Sequence, residues 1–343
     1  MGVSASAATG QKQNPVSRGV GHVTSLAWAS VMRRVVRHLL TAIPLLFLVS
    51  VLTFLLVALR PGDAAVEILG PRATHEQVQA LRQSLGLDQP WYAQYWHWLE
   101  HAVQGDLGNS LLNGQPVTEV LGPRVPVSLS LIVAAVVVSG VVGVSFGVFS
   151  AVRGGFLGRV VDTVAVVGFA MPPFWVGGLL IAIFAVKLHW FPAIGYVPFT
   201  DSPWGWLKSV TLPVAALSCV GIANVLSQTR EAMLDVMSTE YIRMARASGL
   251  PSRTIVFQHA MKNVASRILT ILGLLAVQLM AGTVLVEAVF ALPGLGGIAV
   301  SSATQGDLPV IQGVVVLFTL LVIAVNLLID LAYGALIPQA RRK

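Results

Sequence analysis

The residues between 240 and 251 form the most distinctive polar stretch of the chain, and their types suit a contact surface. They read Glu-Tyr-Ile-Arg-Met-Ala-Arg-Ala-Ser-Gly-Leu-Pro. Gly249 predicts a helix stop, because glycine adopts the left-handed conformation without a Cβ clash. Pro251 suits the first turn of a second helix, expected to end near residue 263. The stretch therefore predicts a helix–turn–helix elbow between two long apolar runs.

One face of the first elbow helix is predicted to be apolar and small. Tyr241, Met244 and Ala245 lie at positions i, i+3 and i+4, which share a helix face. Arg243 and Arg246 lie beside them. Such a knob can press into a groove on another protein, where small residues permit close approach. The alternative is a solvated loop whose basic residues only orient the chain in a membrane.

Groups for covalent or metal chemistry are sparse in this sequence. The single cysteine, Cys219, lies in an apolar run and suits packing. The Gly-Asp pairs at 62–63, 105–106 and 306–307 fall outside the apolar runs, which argues against an intramembrane protease. The sequence has no Gly-x-x-x-x-Gly-Lys-Ser/Thr phosphate-binding loop. We therefore predict no catalytic residue, no metal site and no cofactor in this chain.

Composition places the chain in a membrane. Of its 343 residues, 55% are hydrophobic and 11% are charged, whereas soluble domains carry about 25% charged residues. Six uncharged runs each have at least 19 residues, enough to cross a bilayer core of about 30 Å. They are predicted to span the membrane at residues 39–59, 125–152, 163–186, 209–229, 268–286 and 308–329.

The distribution of basic residues predicts the orientation of these spans. The tail, the 153–162 loop, the 230–267 loop and the C-terminus hold 16 of the 22 Lys and Arg residues. The positive-inside rule therefore places both termini and the elbow in the cytoplasm. Residues 1–30, rich in Ser, Ala, Gly, Gln and Asn, are predicted to form a disordered tail.

The segment 60–124 is predicted to be a helical external insertion between the first two spans. It is acidic, with seven Asp and Glu residues against four arginines. Thr74 and Gln77 form a capping-box pattern, and Gly86 predicts the end of that helix. An aromatic cluster follows at Trp91, Tyr92, Tyr95, Trp96 and Trp98. The cluster suits either interfacial anchoring or docking of an external protein.

Several residues are candidates for a gate or pathway. Paired prolines in the third run, Pro172 and Pro173, should kink that helix beside Phe174. Gln278 is a polar residue in the fifth run, and Glu287 lies at its end. An ionisable group near a span is a functional candidate, although a carboxylate at a helix end can equally be structural. The loop 190–206 contains Pro192, Pro198 and Pro203 and is predicted to be irregular.

These motifs together resemble a known family. The Tyr-Ile-Arg-x-Ala-Arg-Ala-x-Gly-Leu stretch, followed by His-Ala-Met-Lys-Asn at 259–263, is similar to the coupling loop of ABC-importer permeases, in particular the B-type subunit of dipeptide and oligopeptide importers. Arg243 stands where the general importer motif has Glu, a departure that narrows the subfamily to the peptide branch. Further matches are Arg-Pro-Gly-Asp at 60–63, Leu-Gly-Leu-Asp-Gln-Pro at 85–90, Gly-Asp-Leu-Gly-Asn-Ser at 105–110, Met-Pro-Pro-Phe-Trp at 171–175, Glu-Ala-Val-Phe-Ala-Leu-Pro-Gly-Leu-Gly at 287–296 and Asp-Leu-Pro-Val-Ile-Gln-Gly at 307–313.

The resemblance covers residue 33 onward and implies a type I importer permease fold over 31–343. It implies a non-catalytic subunit that forms half of a translocation pathway in the plasma membrane. The implied partners are a second permease, two ATP-binding subunits or domains that carry ATP and Mg²⁺, an external solute-binding protein and a peptide substrate. The residues expected to couple to the ATPase are Glu240, Tyr241, Arg243, Ala245, Arg246, Ala247, Gly249, Leu250 and His259.

One other class of transporter fits a polytopic chain. An ion-coupled secondary transporter uses charged groups at mid-membrane depth and often inverted repeats. Here the charged candidates lie at the ends of spans, and no inverted repeat is evident. The sequence therefore favours the ATP-driven importer.

Overall fold

Helices make up nearly all of the regular structure in the computed structural model, which describes residues 40, 42–57, 59, 64–70 and 72–336. In that part of the chain the remaining ladder contact is one isolated antiparallel bridge, between Asn109 and Pro116. The predicted disordered tail and the 60–63 motif lie outside the described residues, as does the basic C-terminus.

The described helices follow one another with short connections. The external insertion and the first two spans supply α1 (Ala42–Val57), α2 (Ala64–Leu69), α3 (His75–Ser84), α4 (Trp91–Val103), α5 (Val117–Leu121) and α6 (Val125–Arg153). The middle of the chain supplies α7 (Gly155–Ala170), α8 (Pro173–Leu180) with a π-helical continuation over Ile181–Lys187, and α9 (Pro203–Met237). The last part supplies α10 (Glu240–Ala247), α11 (Ser252–Thr254) with a π-helical continuation over Ile255–Ala260, α12 (Met261–Val289), α13 (Leu295–Gln305) and α14 (Leu308–Leu336).

Four uninterrupted helical stretches in the described residues are long and apolar enough to cross a membrane. They are Val117–Arg153, Pro203–Met237, Ser252–Val289 and Leu308–Tyr333. The pair α7 and α8 supplies a fifth crossing if it is counted as one broken span. The described part of the first predicted run is the apolar helix α1, which is shorter than a full span. Six crossings therefore remain a prediction.

The third predicted span is broken rather than kinked. The axes of its two halves differ by 98°. The first half ends at Ala170, and the backbone at Pro172 is extended with ψ 134° before Pro173 opens α8. Two consecutive prolines remove two backbone donors and clash with the preceding turn, so the helix cannot continue through them. The predicted distortion lies where expected but is much larger than a bend within one helix.

The fourth span begins earlier than the sequence suggested. The loop predicted over 190–206 ends at Ser202, because α9 starts at Pro203. The Ser202 hydroxyl caps this helix by accepting a hydrogen bond from the Gly205 N–H at 3.0 Å. Proline is well tolerated at the first helical position, where its missing N–H has no partner to lose. The prediction of irregular structure at Pro203 was therefore wrong.

The segment predicted to be an external insertion packs onto α1 through one aromatic residue. The predicted capping box is present, with Gln77 N–H donating to Thr74 Oγ1 and Thr74 N–H donating to Gln77 Oε1. Tyr95 of α4 is 4% exposed and meets the rings of Phe47 and Phe54 edge-on at centroid distances of 6.1 and 5.6 Å. Trp91, Tyr92 and Trp96 of the same helix are exposed. The predicted cluster thus divides into a buried anchor and an exposed aromatic surface.

Helices α6 and α9 approach closely because small residues line their contact. A Cβ atom built on Gly143 would lie 2.8 Å from Val225 Cβ, and one on Gly147 would lie 2.8 Å from the Leu226 carbonyl oxygen. A Cβ atom on Gly221 would lie 2.3 Å from Ser139 Oγ. Small residues at helix contacts allow backbones to meet in lipid, where no hydrophobic driving force pulls helices together.

Replacing Gly147 by alanine should separate α6 from α9. The new methyl group has no free space against the Leu226 backbone, and overpacking of this kind costs about 1–3 kcal/mol. We expect a lower midpoint of thermal unfolding for the purified protein in detergent. Gly178→Ala is the matched control, because a Cβ on that helical glycine meets no atom within 4 Å. Equal midpoints for the two variants would show that the α6–α9 contact is not tight.

Candidate functional site

The elbow predicted at residue 249 is present and ends in a defined cap. Gly249 has a left-handed φ of +77°. Its N–H donates to the Arg246 carbonyl at 3.0 Å, and the Leu250 N–H donates to the Ala245 carbonyl at 3.3 Å. These two bonds form a Schellman motif, which satisfies carbonyls that the helix end leaves without a partner. Pro251 then leads into α11, as predicted.

The elbow exposes the face that the sequence predicted and is anchored by Ile242, which was not among the predicted residues. Ile242 is fully buried, and α10 packs against α9 and against the π-helical continuation of α11. Tyr241 and Met244 are exposed, with 71% of Met244 accessible, and Ala245 is half-buried. Ile242 is the one β-branched residue of α10, which is the signal that could have identified the anchor. The exposed face is therefore available to a partner.

The other predicted coupling residues surround this face. Glu240, Arg243, Arg246 and Ala247 are exposed, as are Gly249 and Leu250 in the turn, whereas His259 is half-buried. The Asn263 side chain donates to the Tyr241 hydroxyl at 2.6 Å and also to the His259 carbonyl at 3.0 Å. This amide joins the two arms of the elbow.

The second arm does not end at residue 263 as predicted. The chain runs as one helical stretch from Ser252 to Val289, through the π-helical turn and into the fifth predicted span. The sequence of this stretch contains no proline, and Lys262 and Asn263 are compatible with a helix interior. The elbow is therefore connected without a break to a membrane helix.

Ion pairs tie the helices together at the elbow end. Arg267 of α12 lies 3.2 Å from the Asp235 carboxylate and 3.7 Å from that of Glu231, both on α9. Arg230 of α9 lies 3.3 Å from Asp162 of α7 and donates to the Ser150 hydroxyl of α6 at 3.0 Å. The Arg267 pairs link α12 to α9, the two helices that flank the elbow, and the Arg230 contacts link α9 to α7 and α6.

The predicted gate residues do not form one cluster. Phe174 is exposed and Pro173 is half-buried at the break between α7 and α8, where Pro172 is also exposed. Gln278 is exposed on α12, and Glu287 is buried near its end. The second half of the broken span packs on this end of α12, since a Cβ atom on Gly177 would lie 2.9 Å from the Phe290 ring.

Glu287 is a buried helix cap, with 1% of the residue exposed. Its Oε1 accepts a hydrogen bond from the Ser128 hydroxyl at 2.6 Å, and its Oε2 accepts from the N–H groups of Gly296 and Gly297 at 2.8 and 3.1 Å. The Ser128 oxygen in turn accepts from the Leu295 N–H at 2.8 Å. A carboxylate in this position satisfies free N–H groups and interacts favourably with the helix dipole of α13.

The glycines of the Pro-Gly-Leu-Gly turn leave the space that the Glu287 carboxylate occupies. A Cβ atom on Gly294 would lie 2.2 Å from Glu287 Cδ, and one on Gly296 would lie 2.7 Å from Val284 Cα. Glycine at both positions therefore lets the backbone of the turn lie directly against Glu287 and Val284. The motif is visible in the sequence, whereas its partner Ser128 lies 159 residues from Glu287 and was not predicted.

A second buried carboxylate joins two of the recognised motifs. Asp307 is 2% exposed and accepts hydrogen bonds from the Ser110 hydroxyl and, at 3.0 Å, from the Leu111 N–H. Nearby, the Gln312 side chain donates to the Ser50 carbonyl of α1 at 2.9 Å. These bonds hold the 110–111 turn and α1 against the start of α14. In the described part of the chain, no group of three or more potential metal ligands comes together.

Removing the Glu287 carboxylate should destabilise the turn between α12 and α13. Glu287→Ala leaves the Ser128 hydroxyl and two N–H groups without their acceptor, and each unsatisfied buried group costs about 1–3 kcal/mol. We expect a clearly lower unfolding midpoint in detergent, with Glu287→Gln intermediate because its amide keeps one acceptor. Glu119→Ala, an exposed carboxylate in α5, is the control. If Glu287→Ala has the same unfolding midpoint as that control, the cap does not stabilise the protein.

Comparison with known proteins agrees with this architecture. The family model described as binding-protein-dependent transport system inner membrane component matches residues 143–342, and its N-terminal companion matches residues 31–132. A protein of Brucella abortus (strain 2308) named as a peptide transport system permease is 40% identical, over 91% of this chain and 99% of its own length. The glutathione transport system permease protein GsiC of Escherichia coli (strain K12) is 39% identical, over 91% of this chain and 100% of its own length.

A solved structure of the MetNI methionine ABC transporter in inward-facing conformations matches 62% of this chain and 96% of its own, at 19% identity and a TM-score of 0.49. The family models together span most of the sequence. The relatives are matched over nearly their whole length. The chain therefore belongs to the binding-protein-dependent transport system inner membrane components, the membrane-spanning permease subunits of ABC importers.

Proposed function

We propose that this permease subunit imports peptides, dipeptides or oligopeptides, and takes its driving force from an ATPase that docks on the elbow. The observation that carries the proposal is the exposed α10 face, with Met244 71% accessible, on a helix anchored by the fully buried Ile242. The peptide cargo is supported by relatives named for peptide and glutathione transport.

The arrangement around the elbow suits a mechanical connection. A movement imposed on α10 passes to α9 through a two-residue link, and to α12 through the Gly249 turn and the helical stretch that begins at Ser252. Helices α9 and α12 pack directly against each other, and Arg267 adds exposed ion pairs with Glu231 and Asp235, so a movement of one helix is passed to the other. Closure of ATP-binding partners can then favour one orientation of these helices, provided that docking differs between the two states.

The proposed assembly follows the family plan. A second permease supplies the other half of the pathway, two ATP-binding subunits or domains hold ATP and Mg²⁺, and an external binding protein delivers the peptide. Both termini and the elbow lie in the cytoplasm, which the concentration of Lys and Arg at that end supports. The exposed aromatic surface of α4 then lies outside, where the binding protein docks.

The gate is proposed at the broken span. Pro172, Pro173 and Phe174 lie where the helix direction changes by 98°, so small rotations of either half reposition Phe174 strongly. Gln278 offers a polar, exposed contact on α12. Glu287, held by three hydrogen bonds, supports the frame of the gate from its buried position.

Gly249→Val should uncouple the ATPase. A β-branched residue is strained at φ +77°, so the Schellman turn must rearrange and the α10 face shifts. Gly249→Asn is the matched control, because asparagine has similar bulk and tolerates the left-handed region. A Cβ at this position meets no atom within 4 Å, so the difference between the variants reports the backbone alone.

Ala245→Glu should also disrupt docking by adding a charge to the contact face.

The measurement is co-purification of the tagged protein from its native host in mild detergent, with assay of the eluate for ATP hydrolysis. We expect a second permease and an ATPase with the native chain and with Gly249→Asn, and loss of the ATPase with Gly249→Val at equal membrane abundance. Normal peptide uptake by correctly inserted Gly249→Val would refute the coupling role. Transport by the protein without an ATPase, driven by a proton gradient, would establish a secondary transporter instead.

Deleting residues 1–30 should leave membrane insertion, co-purification and peptide uptake within about twofold of the native chain. The proposed permease domain begins at residue 31, and the family models match from that same residue. The matched control removes residues 1–15 only. Loss of assembly on deletion of 1–30 would show that the tail is part of the permease.

A further inference from the structure

A groove runs along the last turns of α6. It has a volume of about 470 Å³. Its walls come from the end of α6 and from the helical stretch that begins at α11, and are formed by Val144, Ser145, Val148, Phe149, Val152, Arg153, Ser252, Arg253, Val256, Phe257 and Met261. From residue 144 to residue 153 the groove follows α6 for about 14 Å, roughly half the thickness of a bilayer core.

The interior of the groove is apolar and open to the surroundings. Phe149, Val152 and Phe257 are 42%, 43% and 61% exposed. Side chains of this kind on a membrane-spanning helix suit contact with hydrocarbon. The two serines of the lining are the remaining polar groups apart from the arginines, and Ser145 already donates its hydroxyl hydrogen to the Val141 carbonyl.

The rim of the groove carries two positive charges. Arg153 is the last residue of α6, and its guanidinium lies 5.7 Å from the centre of the Phe149 ring. Arg253, near the start of the second wall, lines the same groove. Within the described residues, neither arginine forms an ion pair with a carboxylate, whereas Arg230 and Arg267 at the same end both do. No acidic residue lines the groove.

We infer that this groove binds an anionic phospholipid, with an acyl chain along Val148, Phe149 and Phe257 and the phosphate between Arg153 and Arg253. Guanidinium groups pair strongly with phosphate oxygens. Basic pockets between membrane helices at the cytoplasmic side are suited to anionic headgroups. The apolar groove suits the acyl chain of such a lipid, and its cationic rim suits the headgroup. A purely apolar or a purely polar ligand would match only one of these two features.

Charge distinguishes the lipid from the N-terminal tail as occupant. Residues 1–38 contain five Lys and Arg residues and no Asp or Glu, so the rim repels that segment. An anionic lipid is attracted by the same charges. Because Ser252 and Arg253 belong to the second arm of the elbow, the bound lipid would hold that arm in place. This regulatory consequence rests on the proposed coupling function, but the binding itself does not.

The test is photolabelling in nanodiscs of phosphatidylcholine. The full chain, purified with its co-purifying partners, is reconstituted with phosphatidylglycerol that carries a photoreactive acyl chain, and labelled peptides are identified by mass spectrometry. We expect label on both walls, within 144–153 and 252–261. Each arginine near an anionic headgroup contributes about fivefold, so Arg153→Gln with Arg253→Gln should reduce labelling roughly thirtyfold.

Two further variants separate a built site from general attraction. Arg159→Gln with Lys262→Gln removes the same charge from exposed positions at this end that do not line the groove, and labelling should stay within about twofold. Ser145→Phe fills the groove while both arginines remain, and should abolish the label. Equal labelling by a phosphatidylcholine probe, an equal loss in the control pair, or cross-links from the groove to another permease chain in place of lipid would each overturn the inference. Retention of the ATPase is read in the same preparation, so a failure of coupling is distinguished from a failure of lipid binding.

Discussion

The structure depends on one constraint, which is that backbone N–H groups removed from water must find partners inside the protein. An uninterrupted helix meets this requirement by itself, but a helix that ends does not. Where α12 ends and α13 begins, the Glu287 carboxylate accepts the free N–H groups of Gly296 and Gly297. Where α14 begins, Asp307 accepts a hydrogen bond from the N–H of Leu111, which lies between α4 and α5. At the break in the third span the solution is different, because Pro172 and Pro173 have no N–H groups to satisfy.

The same constraint explains why the elbow leads directly into membrane helices. A polar, solvated turn such as Arg246–Pro251 is compatible only with the end of a span, so both arms must lead directly into helices. The Schellman bonds at Gly249 and Leu250 close the first arm, and the second arm continues into α12. Together with the close α6–α9 contact at Gly143 and Gly147, this makes the elbow the surface end of a packed unit rather than a free loop.

Features encoded locally were predictable from the sequence. The capping box at Thr74, the left-handed Gly249 and the interruption at Pro172 and Pro173 each depend on a few neighbouring residues, and each is present. The partners of the buried carboxylates were not predictable, because Ser128 lies 159 residues from Glu287 and Ser110 lies 197 from Asp307. Polarity alone was also a poor guide to helix ends, since the α12 stretch continues through Lys262 and Asn263. Tertiary packing decides these features, and a single sequence does not specify which distant groups meet.

The two ends of the helix bundle are stabilised by bonds of different strength, and this difference decides which end can move. At the Glu287 end the hydrogen bonds are buried and involve a carboxylate. Breaking them leaves buried polar groups without partners, which costs about 1–3 kcal/mol for each group. At the elbow end, Arg267 is exposed in its pairs with Glu231 and Asp235, and such pairs contribute about 0–1 kcal/mol. The exposed pairs can therefore exchange partners with little cost while the buried caps persist. Under the proposed coupling function, a force applied at the elbow would therefore move α9 and α12 at that end while the Glu287 end stays fixed.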